Sequence, residues 1–341
     1  MASDSARPGP LSAALPADPA GTEAPIRAFW RRAVLFVAIG LLIYGAFLAI
    51  AEYRVRQTGE RNPLFRIATV TAPPDVVILG ASHAMPLGFE EIGPALEAAA
   101  GRPVMTLAIE GGGVVPNAFL FSALLRKAAP REVIYVLDSF VFLSPQWNEE
   151  RLADSGLFAR APYDAAIFGA IMAEPAAWPV LAGYLTGFDK VNGMLHLDID
   201  RSEAELTRFD RVYRANDQID SQRIAYLFPA GGDDLVATYV AGIERMIVDA
   251  QASGIRFRIL LMPAPPRYSE RLPASHTRVM SALTEMLERH RIEVIDHSGL
   301  LQDDENYYDT DHLNRQGALS YATDMLGPLL ADTGPPGSSG D

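Results

Sequence analysis

Asp75-Val76-Val77-Ile78-Leu79-Gly80-Ala81-Ser82-His83 is an apolar run that stops at a glycine and delivers a serine just past it. Four consecutive aliphatic residues without alternation read as a strand buried on both faces, the kind found in parallel sheets covered by helices. The pattern repeats outward. Phe89 to Ala100 has helical apolar spacing, Pro103 to Ile109 reads as a strand, and it runs into Glu110-Gly111-Gly112-Gly113. Pro116 to Lys127 is then helical and Glu132 to Leu137 a third strand. After a break, a helix is expected over Asp234 to Ala252, a strand over Phe257 to Met262, a helix over Thr277 to His290, a strand over Glu293 to Asp296 and a last helix over Gln316 to Leu330. Strands that alternate with helices predict an α/β fold with a parallel sheet.

Between the third strand and Asp234 the pattern loosens. Pro145, Trp147, a helix-like Tyr163 to Met172 and a polar stretch from Asp198 to Arg223 read as an insertion at about residues 145–232, its charges suited to a solvated surface. Trp147, Tyr184 and Tyr213 offer either a sugar-stacking surface or ordinary core packing, the second being the more common use of such rings.

The N-terminus is of another kind. Residues 1–25 are rich in Ala, Pro, Ser and Gly and are expected to be disordered, as are residues 332–341. From Ala33 to Ala51 run 19 uncharged residues. As a helix these span about 28 Å, close to the hydrocarbon thickness of a bilayer. Trp30 and Tyr53 bracket the stretch as interfacial aromatics would. Arg27, Arg31 and Arg32 before it balance Arg54, Arg56 and Arg61 after it, so charge alone does not orient the span. Ala49-Ile50-Ala51 resembles a signal-peptidase site, but the apolar stretch exceeds a usual signal core, which favours an uncleaved anchor in the cytoplasmic membrane. A short preceding tail and a large domain without cysteine favour placing residues 65–331 outside the cytoplasm.

Among 341 residues, 42 acidic side chains exceed 29 Lys and Arg, for a net charge of −13. That balance argues against a nucleic-acid footprint, which needs clustered cations. With no cysteine, disulfides, thiolate metal sites and a Cys nucleophile are excluded.

Chemistry is suggested by Asp309-Thr310-Asp311-His312, where a carboxylate precedes a histidine by three residues. A serine hydroxyl needs a base within hydrogen-bond reach, and the base needs a partner that fixes its tautomer. Ser82, His312 and Asp309 supply that set, with Ser82, Gly111 and Asp138 at the carboxyl ends of the first three strands, where ligands gather in such sheets. Taken singly, each has a plainer use: Ser82 as a helix N-cap, the Gly111 to Gly113 run as a turn, His312 as a cap or core residue, Asp309 or Asp311 as an N-cap. Asp311 is read as capping or solvated, with a lesser claim to be the partner of His312. His83 could reach the site through its adjacency to Ser82, although a sequence neighbour often points away. His196, His276, His290 and His297 lack metal-ligand spacing, and no metal or other cofactor is expected.

Over about residues 70–330 the chain resembles the SGNH hydrolase superfamily, also called GDSL-like. The resemblance is carried by Gly80-Ala81-Ser82-His83, by Gly111 in Leu107-Ala108-Ile109-Glu110-Gly111, and by Asp309 to His312 followed by Leu313-Asn314 and Gly317. It implies a flavodoxin-like three-layer domain, Ser82 as nucleophile, and the Ser82 and Gly111 amides as oxyanion donors. The family's third block, usually Gly-x-Asn-Asp, is replaced here by Leu137-Asp138-Ser139-Phe140, leaving Ser139 or Asn117 as substitutes for its Asn donor. Proteins of alginate O-acetylation and teichoic acid D-alanylation share the altered block and an N-terminal span. By that likeness the expected substrate is an acylated carbohydrate or envelope polymer, and the expected partner a multispanning membrane-bound O-acyltransferase. A catalytically silent interaction protein on the same fold is the alternative. The nucleophile elbow of α/β-hydrolases, Gly-x-Ser-x-Gly, fits less well, because Ser82 follows the first strand and Asp309 lies three residues from His312.

Overall fold

The computed structural model describes residues 20–58, 62–89, 91–194 and 209–332. The tail 1–19, Arg61, His196, residues 198–208 of the polar stretch and the tail from 333 lie outside them. The chain divides into two units, Met1–Ala49 and Ile50–Asp341.

A helix covers Ala20–Thr58, so residues 20–25 are helical where disorder was expected. Glu23, Ala24 and the run after Arg27 include good helix formers, which lets the apolar helix extend beyond residues 33–51 at both ends. Within it, Ile26–Gln57 is long and apolar enough to cross a membrane. Its large apolar side chains from Phe29 to Phe47 are exposed.

In the second unit five strands, β1 (Val76–Gly80), β2 (Val104–Ala108), β3 (Glu132–Val136), β4 (Arg256–Leu261) and β5 (Glu293–Asp296), form one parallel sheet in the order β2-β1-β3-β4-β5. Val76 pairs with Val104 on one side and Glu132 on the other, and Glu132 in turn with Arg256. This is the flavodoxin-like order, an α/β fold with helices on both faces. The side chains divide with period two. Val77, Leu79, Val133, Tyr135, Phe257 and Ile259 enter one core cluster with the helices Val114–Lys127, Val236–Ala252 and Ala274–Arg289. Val76, Ile78, Ile134, Val136 and Leu260 enter the other, under Ile92–Ala100 and the C-terminal segments. Both sets are apolar, which is why the strands read as unbroken runs.

The final helix expected over Gln316 to Leu330 is three consecutive pieces, an α-helix Arg315–Ser320, a π-helix Tyr321–Leu326 and an α-helix Gly327–Asp332. The insertion is a series of short helices, among them Ala165–Ala173, Trp178–Thr186, Phe188–Met194 and Asp217–Leu227. The last corrects the solvated-surface reading. Asp220 in it is buried and Arg223 half-buried, because both reach into the site described below.

Ile134 is wholly buried at the centre of the sheet. Ile134→Ala is expected to cost about 2–5 kcal/mol, read as a lower chemical-unfolding midpoint of the detergent-solubilised chain with its far-UV spectrum unchanged. A loss well under 1 kcal/mol would mean that the helical layers close over the cavity.

Candidate active site

β1 ends at Gly80, where a Cβ would lie 2.8 Å from the Ala84 Cβ and 2.9 Å from the Val136 Cβ. Only glycine lets the chain turn this tightly against β3. The turn is tied by the Ala84 amide donating to the Ala81 carbonyl at 3.1 Å and Met85 to Ser82 at 3.3 Å. The 3-10 helix that follows, Met85–Gly88, starts from Ala84 without a side-chain cap, so Ser82 is not spent as an N-cap. The Ser82 Oγ lies 2.8 Å from the His312 Nε2.

His312 sits on a loop closed by the Tyr308 amide donating to the His312 carbonyl and by a bridge between Tyr307 and Leu313. Asp309 Oδ1 accepts the Asp311 and His312 amides at 3.1 and 2.8 Å. The Asp309 carboxylate oxygens lie 3.0 and 2.9 Å from the His312 Nδ1. An Nδ1–H facing Asp309 leaves Nε2 free to accept the serine proton. Burial raises the Asp309 pKa, but the neighbouring His312 outweighs it and holds the carboxyl below the usual range. The cap of the next helix is Asn314, which accepts the Gly317 amide at 2.9 Å.

A second imidazole lies against the first. His83 stacks on His312 with ring centroids 4.6 Å apart, and Tyr308 stacks on His312 at 5.5 Å. The His83 Nδ1 is 2.6 Å from Asp138 and its Nε2 is 3.3 Å from Asp311. Burial lowers the His83 pKa, yet the two carboxylates prevail and lift it to about 10, making the ring an imidazolium at neutral pH. Asp311, expected at the surface or at a cap, is 1% exposed and receives both a 3.0 Å Nε bond and a 3.0 Å Nη2 bond from Arg223. Its burial opposes ionisation, but His312, His83 and Arg223 hold its carboxyl well below the usual range. It is 3.6 Å from the His312 Nδ1, farther than Asp309. His83, Asp311 and His312 bring three metal-ligating atoms within 4.8 Å of one another. Arg223 engages both Asp311 oxygens, and His83 meets one of them as well, so the contacts the cluster makes are those of an ion-pair network.

Gly111 has φ +62°, and a Cβ there would lie 2.9 Å from the Trp147 ring. Both the left-handed backbone and the indole require glycine. Among the described residues, the Ser82 and Gly111 amides donate to no protein acceptor, whereas Gly112 and Gly113 donate to the Ile109 and Trp147 carbonyls. The proposed substitutes for the third donor are otherwise engaged. The Asn117 amide, wholly buried, donates to the Gly112 and Gly113 carbonyls at 3.0 and 2.7 Å, and Ser139 Oγ lies 2.7 Å from the His276 Nδ1. Each does structural work: Asn117 fixes the glycine turn and Ser139 joins the loop after β3 to the helix Ala274–Arg289. Trp147 and Tyr184 are core residues, and the Tyr213 hydroxyl donates to Asp220, so no aromatic sugar surface forms from the three.

Sequence reasoning underrated His83, placed Asp138 at this rim without a role, and missed Arg223, Asp220 and Arg267 as parts of the cluster. The signals for the first two were their positions after β1 and β3; for the others no local signal exists. Thr310 donates to Asp220 at 2.8 Å, and Arg267 donates to the Asp309 carbonyl at 2.8 Å.

No protein-family profile and no curated protein matches the sequence. Solved structures similar to this chain include the psychrotrophic esterase EstA from Pseudoalteromonas sp., inhibited by monoethylphosphonate, at 13% identity over 73% of this chain and 92% of that one, with a TM-score of 0.35. A candidate acylhydrolase from Bacteroides fragilis is similar at 12% identity over 78% and 93% of the two chains, TM-score 0.40. A candidate lipolytic protein of the G-D-S-L family from Desulfitobacterium hafniense is similar at 10% over 76% and 99%, TM-score 0.37. At these identities and scores the architecture rests on the strand order and register, and the site on its own geometry.

The His83 ion pairs have a pH signature. Its folded pKa of about 10 stands above the ordinary 6.5, so its contribution to stability is complete below about pH 6.5 and is lost as pH rises through about 10. The difference in unfolding free energy between the wild-type chain and His83→Gln should narrow over that interval. A difference constant from pH 6.5 to 10 would mean that the folded chain holds His83 neutral.

Proposed function

We propose that the chain is a membrane-anchored, SGNH-like serine acyltransferase or acylesterase that acts on a cell-envelope or exported polysaccharide through an acyl-enzyme at Ser82. One observation carries the reading: Ser82 Oγ at 2.8 Å from His312 Nε2, with the opposite ring nitrogen against the Asp309 carboxylate at 2.9 Å. In the first half-reaction Ser82 Oγ attacks the acyl carbonyl while His312 Nε2 takes its proton. The tetrahedral oxyanion accepts from the Ser82 and Gly111 amides, which have no other protein acceptor among the described residues. Collapse expels the donor alcohol, which leaves with the proton from His312. In the second half a water or a sugar hydroxyl gives its proton to His312 and attacks the ester, restoring Ser82. Water gives net deacylation and a sugar gives an acylated polymer, with the same residues in the same roles.

Support for an envelope polymer, and for a multispanning acyltransferase as partner, comes from the resemblance to membrane-anchored acyl-transfer proteins. Support for anchoring comes from the apolar helix segment Ile26–Gln57, which is also compatible with a signal sequence. The silent-scaffold alternative draws on one structural fact: Asn117 and Ser139 are both engaged elsewhere, leaving two backbone donors for an oxyanion.

The test uses the detergent-solubilised full chain with an aryl acetate and a fluorophosphonate. Turnover and labelling at Ser82 are expected, with Ser82→Ala lowering kcat/KM by about 10³-fold or more. Asp309→Asn is expected to lower kcat by roughly 10²–10⁴-fold, since the amide favours the wrong imidazole tautomer. Absence of both labelling and turnover would favour the scaffold. Wild-type turnover in Ser82→Ala would overturn the assignment of the nucleophile.

A further inference from the structure

Between residues 165 and 188 the second unit exposes large apolar side chains on three successive helices. Phe168 and Met172 lie one turn apart on Ala165–Ala173, at 38% and 50% exposure. Trp178 and Leu185 lie two turns apart on Trp178–Thr186, at 55% and 53%, and Phe188 opens the next helix at 60%. The opposite sides of the first two helices are ordinary core: Ile167, Ile171, Val180 and Tyr184 are buried. These helices are apolar on their exposed as well as their buried sides, a composition a water-facing surface does not require. Together the segments Ala165–Ala173 and Pro175–Thr186 are apolar enough for a membrane span, but a bend of 111° separates them.

Chain connectivity says what this face meets. The uncharged segment ends at Ala51, so Glu52 is the first charged residue beyond it. The Glu52 carboxylate pairs with the buried Lys190 at 2.7 Å and accepts the Tyr163 amide at 3.3 Å. Lys190 stands two residues after Phe188, and Tyr163 two residues before the helix Ala165–Ala173. Glu52, which closes the uncharged stretch within the candidate span Ile26–Gln57, is therefore bonded to the roots of the helices that carry the exposed apolar side chains. Cations accompany them: Lys127 pairs with Asp164 at 2.5 Å, and the Arg126 side chain packs against Gly169.

We propose that this face, from Phe168 to Phe188, is a monotopic membrane-docking surface that lies in the interfacial layer of the bilayer crossed by the N-terminal helix. The inference rests on the anchoring reading above. Apolar side chains would enter the acyl boundary, Trp178 would sit at headgroup depth, and Arg126 would face anionic headgroups. Docking of this kind restrains the domain at a second point.

The absence of cysteine makes the test direct. Single substitutions Phe168→Cys, Met172→Cys, Trp178→Cys and Leu185→Cys in the full chain would be nitroxide-labelled and reconstituted into phosphatidylcholine–phosphatidylglycerol vesicles. Leu41→Cys reports the span and Val248→Cys an exposed position on the helix Val236–Ala252. Oxygen accessibility relative to a water-soluble nickel chelate should be several-fold higher at the four patch positions than at Val248. Val248-like ratios at all four overturn the proposal. If Leu41 still reads lipid in that case, anchoring stands and docking alone is wrong, as for a face reserved for a protein partner. If Leu41 also reads water, the anchoring reading has failed as well.

Discussion

The hydrogen bond between Ser82 and His312 joins residues 230 apart in sequence, and the arrangement of the sheet is what makes it achievable. β1 is an interior strand, flanked by β2 and β3, and the connections leaving β1 and β3 run to opposite faces and open a crevice at the carboxyl rim. Ser82 and His83 emerge there from β1 and Asp138 from β3, and the 2.6 Å contact between His83 and Asp138 spans that switch point. The C-terminal segments pack on Ile92–Ala100 in the second core cluster, which brings the Asp309–His312 loop to the same rim. A shift in any layer would separate base from nucleophile before it disturbed either locally.

Three carboxylates within reach of two imidazoles would ordinarily compete. Buried charges are tolerated only when paired, and a charge left alone is costly. Here the pairing is specific: Arg223 takes both oxygens of Asp311, and His83 lies between Asp311 and Asp138. That leaves Asp309 to His312. Without His83 and Arg223, Asp311 at 3.6 Å from the His312 Nδ1 would be a rival orienter, pulling the ring from its line to Ser82. The second layer therefore selects which carboxylate serves the base.

The strands, their order of appearance and the Ser82, Gly111 and Asp309–His312 positions were legible because each depends on local chemistry: unbroken aliphatic runs, a glycine at a forced turn, a three-residue Asp–His spacing. Asn117 is engaged elsewhere for a related reason. A polar residue early in a helix looks available, but its amide is consumed by the Gly112 and Gly113 carbonyls that the glycine turn leaves exposed to the helix start. Arg223 and Asp220 left no local trace. Their helix, Asp217–Leu227, is polar with few apolar anchors, and their partners lie 88 and 90 residues away. Only the folded chain distinguishes such residues from a solvated face.

That helix also changes what the insertion is for. Asp220 receives the Thr310 hydroxyl, Arg223 grips Asp311, and beyond the helix Arg267 holds the Asp309 carbonyl. The loop bearing the base is thus fixed at three consecutive residues, two of them held by side chains of the insertion. A parallel sheet supplies a rim on which many chemistries can be placed, but it does not by itself fix a loop to the tolerance a proton transfer demands. In this chain the tolerance is set by side chains from the segment whose pattern looked least regular, so the insertion and the Asp309–His312 loop form a single mechanical unit.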